Sequence, residues 1–280
     1  MPVAHHSSSS GAVALHYETF GSPSAPALLL VNGLGGQCTS YHVAWCERFV
    51  ARGFHVIRFD NRDVGLSSKL TGELESYRLS DMASDAVAVL DAARVDRAHV
   101  MGVSMGGMIV QTLAIEHPER VRSMISVMST TGERDVGQPS EQAKVELFAP
   151  PPSDRDGYVA GKIAGLRIWG SPAFADEHRW RAEAEAAFDR CFEPAGQIRQ
   201  FAAIRRSGSR ADALRRLAVP TLVIHGDRDT LIDQSGGRRT AELVPGARFE
   251  LIEGMGHDHP PQLWDRLTDL VGEHAQTASV

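Results

Sequence analysis

The segment Gly102-Val103-Ser104-Met105-Gly106 constrains this chain more than any other, because it joins two apolar runs of different period across one serine. Ala98 to Val103 has the length and composition of a buried strand, and Met105 to Glu116 reads as a helix. A serine at so tight a strand-to-helix turn must take a strained backbone conformation. Flanking glycines remove the Cβ atoms that would otherwise collide there. Gly107 adds a third small residue, which lets the helix lie close to the sheet. The hydroxyl then sits at a helix N-terminus, where free N–H groups and the dipole favour developing negative charge. Bare Gly-x-Ser-x-Gly recurs by accident; the strand before it and the helix after it give it meaning.

The surrounding pattern is that of a doubly wound, mostly parallel α/β sheet. Val13 to Glu18 alternates like an early, half-exposed strand, and Ala27–Val31, Phe54–Phe59 and Ala98–Val103 are of buried-strand length. Leu79, Met82, Ala83, Ala86, Val87 and Leu90 form one helix face, with Ser80 or Asp81 as its N-cap. Met124 to Met128 is the next strand. From about Gly132 to Leu217 the rhythm breaks: Pro150-Pro151-Pro152 and Ser153 to Gly157 read as loop, followed by helices over 177–192 and 197–206. Strands resume at 220–224 and 249–252, and a helix over 263–274 closes the chain. The expected division is a flexible N-terminal tail over 1–11, a core over 12–131 and 218–280, and a helical lid over 132–217.

Composition excludes several classes of protein. A net charge of −6 with no Lys/Arg run argues against a nucleic-acid groove or an anionic membrane patch. No apolar stretch reaches the length of a membrane span. The three cysteines, Cys38, Cys46 and Cys191, fit reduced thiols in a cytoplasmic protein better than a disulfide framework. The His/Ser-rich start lacks the apolar region of a secretory signal.

A serine hydroxyl needs a base to take its proton, and the base needs a third group to orient it. The strand ending at Ile224 runs into His225-Gly226-Asp227-Arg228-Asp229, and the last strand into Glu253-Gly254-Met255-Gly256-His257. Both segments lie beyond carboxyl ends of strands, where open α/β sheets place their sites. With twelve histidines present, one taken at random is expected to be a solvated surface group. His257 is singled out as the base because its glycine-rich approach can carry the imidazole over the sheet; His259, followed by two prolines, is the rival. A metal reading of His257-Asp258-His259 has no further ligand cluster to complete it. Asp227, Asp229 and Asp233 are the candidate acids.

Taken together, these motifs resemble the α/β-hydrolase superfamily, in particular lid-bearing bacterial carboxylesterases of the group that contains polyketide methylesterases. The resemblance covers nearly the whole chain outside the insertion and the tail. It implies that the later aspartate, Asp229, orients His257, while Asp227 shapes the turn. It also implies that Asn32-Gly33-Leu34-Gly35-Gly36 forms an oxyanion hole, with the backbone N–H groups of Leu34 and Met105 as donors, typically worth about 3 kcal/mol each. Asn32 departs from the commoner histidine, which changes the hydrogen bonds available to hold that loop. Asp60-Asn61-Arg62-Asp63-Val64-Gly65-Leu66-Ser67 resembles an Asp-x-Arg-Gly-x-Gly-x-Ser stretch of mainly structural role, with Asp63 in place of glycine.

The implied activity is cleavage of a small-molecule carboxylic ester through an acyl-serine, with no cofactor, metal or nucleic acid; homo-oligomerisation stays open. The same triad would serve a carbon–carbon bond hydrolase, a lactonase, a thioesterase or a perhydrolase, and a receptor on this fold could retain it. A dehalogenase would want Asp at position 104, and the glycine clusters do not spell a dinucleotide fingerprint. Of the lid aromatics Phe148, Tyr158, Trp169, Phe174, Trp180, Phe188, Phe192 and Phe201, most are expected to form the lid's own core. Trp169, beside Gly170 and Pro172, is the candidate substrate contact.

Overall fold

A computed structural model of the chain describes residues 2–8, 11–71, 73 and 76–278. Its eight strands are β1 (Val3–Ser8), β2 (Gly11–Phe20), β3 (Ala27–Val31), β4 (His55–Phe59), β5 (Ala98–Val103), β6 (Val121–Val127), β7 (Thr221–Gly226) and β8 (Arg248–Ile252). They form one sheet in the order β1-β2-β4-β3-β5-β6-β7-β8. Pairing is parallel from β4 through β8 and antiparallel at β1–β2 and β2–β4.

The helices are α1 (Val43–Ala51), α2 (Leu79–Ala92), α3 (Met105–Glu116), α4 (Glu141–Leu147), α5 (Arg155–Trp169), α6 (Glu177–Arg190), α7 (Pro194–Ser207), α8 (Ala211–Leu214), α9 (Ser235–Leu243) and α10 (Trp264–Thr277). Strand β3 shows why its run is apolar throughout. Leu29 and Val31 pack into the layer that holds α2 and α3, while Leu28 and Leu30 pack into the layer that holds α1 and α10. A strand covered on both faces has no solvent side on which to place a polar residue. Helix α3 is buried from Met105 to Ala114, so it too carries apolar residues all round.

Several sequence expectations shift. The stretch read as a tail contains β1, since Ala4 belongs to the core and Val3–Ser8 pairs with β2, covering what would otherwise be an open sheet edge. Met1, Ser9 and Ser10 of that stretch lie outside the described residues. Helix α2 takes Arg78 as its N-cap, and Asp81 sits three residues on, reaching back to accept the Arg78 N–H at 2.9 Å. The polar stretch after the triple proline is a helix start, because Asp154 caps α5 by accepting from Gly157 N–H at 2.8 Å. Between β6 and β7 the chain forms α4 to α8 and, among the described residues, no strand.

Candidate active site

Parallel pairing brings the carboxyl ends of the central strands level. Val31 of β3 sits beside Gly102 of β5, Val103 beside Val127 of β6, Val127 beside Ile224 of β7, and Gly226 beside Ile252 of β8. The loops carrying Gly33, Ser104, Asp229 and His257 therefore leave the same edge of the sheet.

Ser104 has φ 55° and ψ −120°, a region a non-glycine residue enters only when its surroundings over-determine it. They do so here. Its N–H donates to Val127 O at 2.9 Å, and its carbonyl accepts from Ser129 Oγ at 2.8 Å and Gly107 N–H at 2.9 Å. The glycines matter through close approach. A Cβ at 102 would lie 2.0 Å from Gly106 O, one at 106 would lie 2.1 Å from Val31 O, and one at 107 would lie 2.5 Å from Ser129 Cβ. The loop after β3 also passes close by, though with more room, since a Cβ at Gly33 would lie 3.1 Å from Ser104 Cβ.

Among the described residues, neither the Leu34 nor the Met105 backbone N–H has an intramolecular acceptor. The adjoining Gly35 N–H is used, donating to Gln200 Oε1 of α7 at 2.8 Å. Buried Asn32 braces the loop: its Nδ2 donates to Gln37 O at 2.9 Å, and its carbonyl accepts from Asn61 Nδ2 at 3.1 Å. The asparagine thus does a structural job for which a carboxamide is well suited.

Asp229 Oδ2 accepts from His257 Nδ1 at 2.7 Å, while Oδ1 accepts from the Leu231 and Ile232 N–H groups at 2.9 Å each. Burial raises the pKa of this carboxyl, but the charge on His257 and hydrogen bonds from His225 and His257 outweigh it, bringing it down to about 2. Because Nδ1 faces the carboxylate, Nε2 is the nitrogen left for proton exchange. Ser104 Oγ and His257 are not hydrogen-bonded to each other among the described residues, and such contacts commonly tighten only when substrate binds.

The rival residues have other work. Asp227 Oδ1 accepts from Gly254 N–H at 2.7 Å, tying the β7 loop to the β8 loop. Asp233 accepts from Ser235 and Gln138 N–H groups. The His259 ring is stacked on Tyr41 and tilted against Trp45, and burial holds its pKa below the usual value. Trp169 offers its carbonyl to the His257 N–H, and its indole lies against Gly165 of its own helix. Tyr158, Phe188 and Phe192 cluster together, and Trp180 packs with Val159, Ile163 and Ala184 as a small core of the insertion.

Sequence reasoning missed His225. Its Nε2 donates to Ile232 O at 2.8 Å and lies 3.4 Å from Asp229 Oδ2, so it braces the loop that carries Asp229. The available signal was a histidine at the carboxyl end of a buried apolar run, four residues before Asp229. Asp63 and Asp60 were read as structural; they also receive the insertion. Asp63, at φ 72°, takes a two-pronged pair from Arg199 of α7 at 2.9 and 3.0 Å. Asp60 takes Arg190 of α6 at 2.8 Å.

One group of side chains, His16, Cys38 and Asp60, has donor atoms close enough together to suggest a metal. The Arg190 guanidinium already lies against Asp60 and is 3.4 Å from Cys38 Sγ, and burial pushes the Cys38 thiol pKa up, keeping it protonated. These residues suit an internal cation–carboxylate pair, not metal ligation. No helix among the described residues is long and apolar enough to cross a membrane.

A Gly-x-Ser-x-Gly elbow, a histidine–aspartate pair and two free N–H groups at one sheet edge define a class of fold. The chain belongs to the α/β hydrolase fold family, whose model matches residues 26–259. It is 30% identical to rhodomycin D methylesterase DauP from Streptomyces sp. (strain C5), over 96% of this chain and 97% of that protein. It is 28% identical to 3-oxoadipate enol-lactonase 2 from Acinetobacter baylyi, over 97% and 98% respectively. Among solved structures, esterase RhEst1 from Rhodococcus sp. ECU1013 superposes with a TM-score of 0.80 at 22% identity, covering 100% of this chain and 99% of that one; it speaks for the fold alone.

Proposed function

We propose that this protein is a serine hydrolase that cleaves a small carboxylic ester, with Ser104 as nucleophile, His257 as base and acid, and Asp229 orienting His257. The observation that carries the reading is the 2.7 Å bond from His257 Nδ1 to Asp229, which aims Nε2 away from the acid while Ser104 leaves the same sheet edge in a strained turn. Ser104 Oγ attacks the ester carbonyl as Nε2 takes its proton, and the oxyanion is received by the Leu34 and Met105 N–H groups. His257 then returns the proton to the departing alcohol. Water, deprotonated by the same nitrogen, releases the acid from the acyl-serine.

A methyl ester is the favoured substrate class, supported by the 30% identity to proteins named as methylesterases. A lactone is the second reading, supported by the similarity to an enol-lactonase across nearly the whole chain. Residues 132–217 act in this account as a lid over the sheet edge, on a core that takes in β1 as well as residues 12–131 and 218–280. A fluorophosphonate probe should label Ser104, and Ser104→Ala should lose roughly ten-thousandfold in turnover of methyl and p-nitrophenyl esters while remaining folded. An unlabelled Ser104, or full activity in Ser104→Ala, would sink the proposal. A parallel panel of methyl esters and lactones ranks the two readings.

A further inference from the structure

Ser171, the second residue after α5, is wholly buried and makes three hydrogen bonds that straddle His257. Its N–H donates to Asp258 Oδ1 at 2.8 Å, its hydroxyl donates to the same oxygen, and that hydroxyl accepts from Gly256 N–H at 2.8 Å. The residues immediately before and after the histidine are thereby fastened to one side chain of the insertion. Two further bonds reinforce the join. The His257 N–H donates to Trp169 O, and Thr230 Oγ1, next to Asp229, donates to Ile168 O at 2.9 Å. The approach is so close that a Cβ at Gly256 would lie 2.3 Å from the Gly170 carbonyl carbon.

We infer that Ser171 and Asp258 are positioning residues: together they form a clasp through which the end of α5 fixes the place of His257. The inference rests on the reading of His257 as the general base. A hydroxyl that both donates and accepts is needed, because the clasp must satisfy a carboxylate on one side and an amide N–H on the other. Without it, Gly256 N–H loses its partner and the histidine loop is held by fewer bonds. A base displaced by even a fraction of an ångström loses rate more than it loses substrate binding.

The test compares Ser171→Ala, Asp258→Ala and Asp258→Asn, the last of which keeps an acceptor oxygen at Oδ1. Both alanine variants are expected to lose about 10- to 100-fold in kcat with KM nearly unchanged. Asp258→Asn should retain most of the wild-type kcat. The double alanine variant should fall little further than either single one, because both break the same clasp. Two outcomes would overturn the inference: alanine variants within about twofold of wild-type kcat, or Asp258→Asn falling as far as Asp258→Ala. Should Ser171→Ala fail to fold, the contrast between the two Asp258 variants decides. The downfield proton resonance of His257 Nδ1–H is read alongside; it should broaden or move in Ser171→Ala and not in Asp258→Asn. This signal needs no substrate, so it reports on the clasp even if Ser104 fails to label, an outcome that counts against the proposed function alone.

Discussion

Around Ser104 the core is held by backbone contacts that leave no room for one extra methyl group, whereas α6 and α7 are held to that core by arginine–aspartate pairs. In the first region the determinants are shape: Gly102, Gly106 and Gly107 let β5, α3 and the start of the β3 loop interpenetrate. In the second they are charge and hydrogen bonding. Arg190 and Arg199 reach Asp60 and Asp63, while Gln37 and Gln200 exchange bonds across the join, Gln37 Nε2 to Ala187 O at 2.7 Å and Gln200 Nε2 to Arg62 O at 2.8 Å. The insertion's own apolar core is small, centred on Val159, Ile163, Trp180 and Ala184. The contrast teaches that the geometry of the Ser104 turn is fixed by packing inside the sheet layer, while α6 and α7 are placed by ion pairs and hydrogen bonds together with the apolar contact of Ala203.

The sharpest way to break this contrast is Gly106→Ala. The new Cβ would meet the Val31 carbonyl, a backbone atom that cannot swing aside, so a loss of about 3 kcal/mol or more is expected in urea unfolding. Stability near wild type would show that the elbow has slack the geometry denies. Next comes Arg199→Met, which keeps the volume but strands the buried carboxylate of Asp63. About 3 kcal/mol should be lost by the same measurement, with the deficit shrinking in the double variant Arg199→Met/Asp63→Asn. Additive losses would mean that the pair does not couple insertion to core.

The smallest effect is in acid. Asp229 is depressed from the ordinary 3.8 to about 2, so its charge contributes stability above 3.8, and that contribution is lost as pH falls through about 2. Thermal unfolding of wild type and Asp229→Asn should therefore differ at pH 4 and converge as pH falls from there towards about 2. Convergence already near pH 5 would contradict a buried carboxylate that accepts three hydrogen bonds. The same depression means that an acid limb in kcat/KM above pH 4 does not belong to Asp229.

Local pattern revealed the sheet and pointed to a candidate site because each part was written in adjacent residues. Ala27–Val31 and Ala98–Val103 are strands at the bounds their apolar runs suggest, and Ser104 follows the second directly. What stayed hidden depends on partners distant in sequence. Ser171 meets residues 85 and 87 positions away, and nothing in Trp169-Gly170-Ser171-Pro172 marks a serine as part of a histidine loop. Nothing in the local pattern marks Arg190 and Arg199, because their carboxylates lie 130 and 136 residues earlier. Strand β1 was missed because a His/Ser-rich segment has little β-propensity of its own; the uncovered edge of β2 supplies the pairing.

The two arginine–aspartate pairs also bear on how such a protein can acquire a new specificity. A foreign cap grafted onto this scaffold would leave Asp60 and Asp63 as buried anions unless it brought matching guanidinium groups. The insertion between β6 and β7 is therefore not a freely interchangeable cassette. Redesign is better directed at residues within the existing helices that touch neither aspartate, leaving the electrostatic sockets of the scaffold filled.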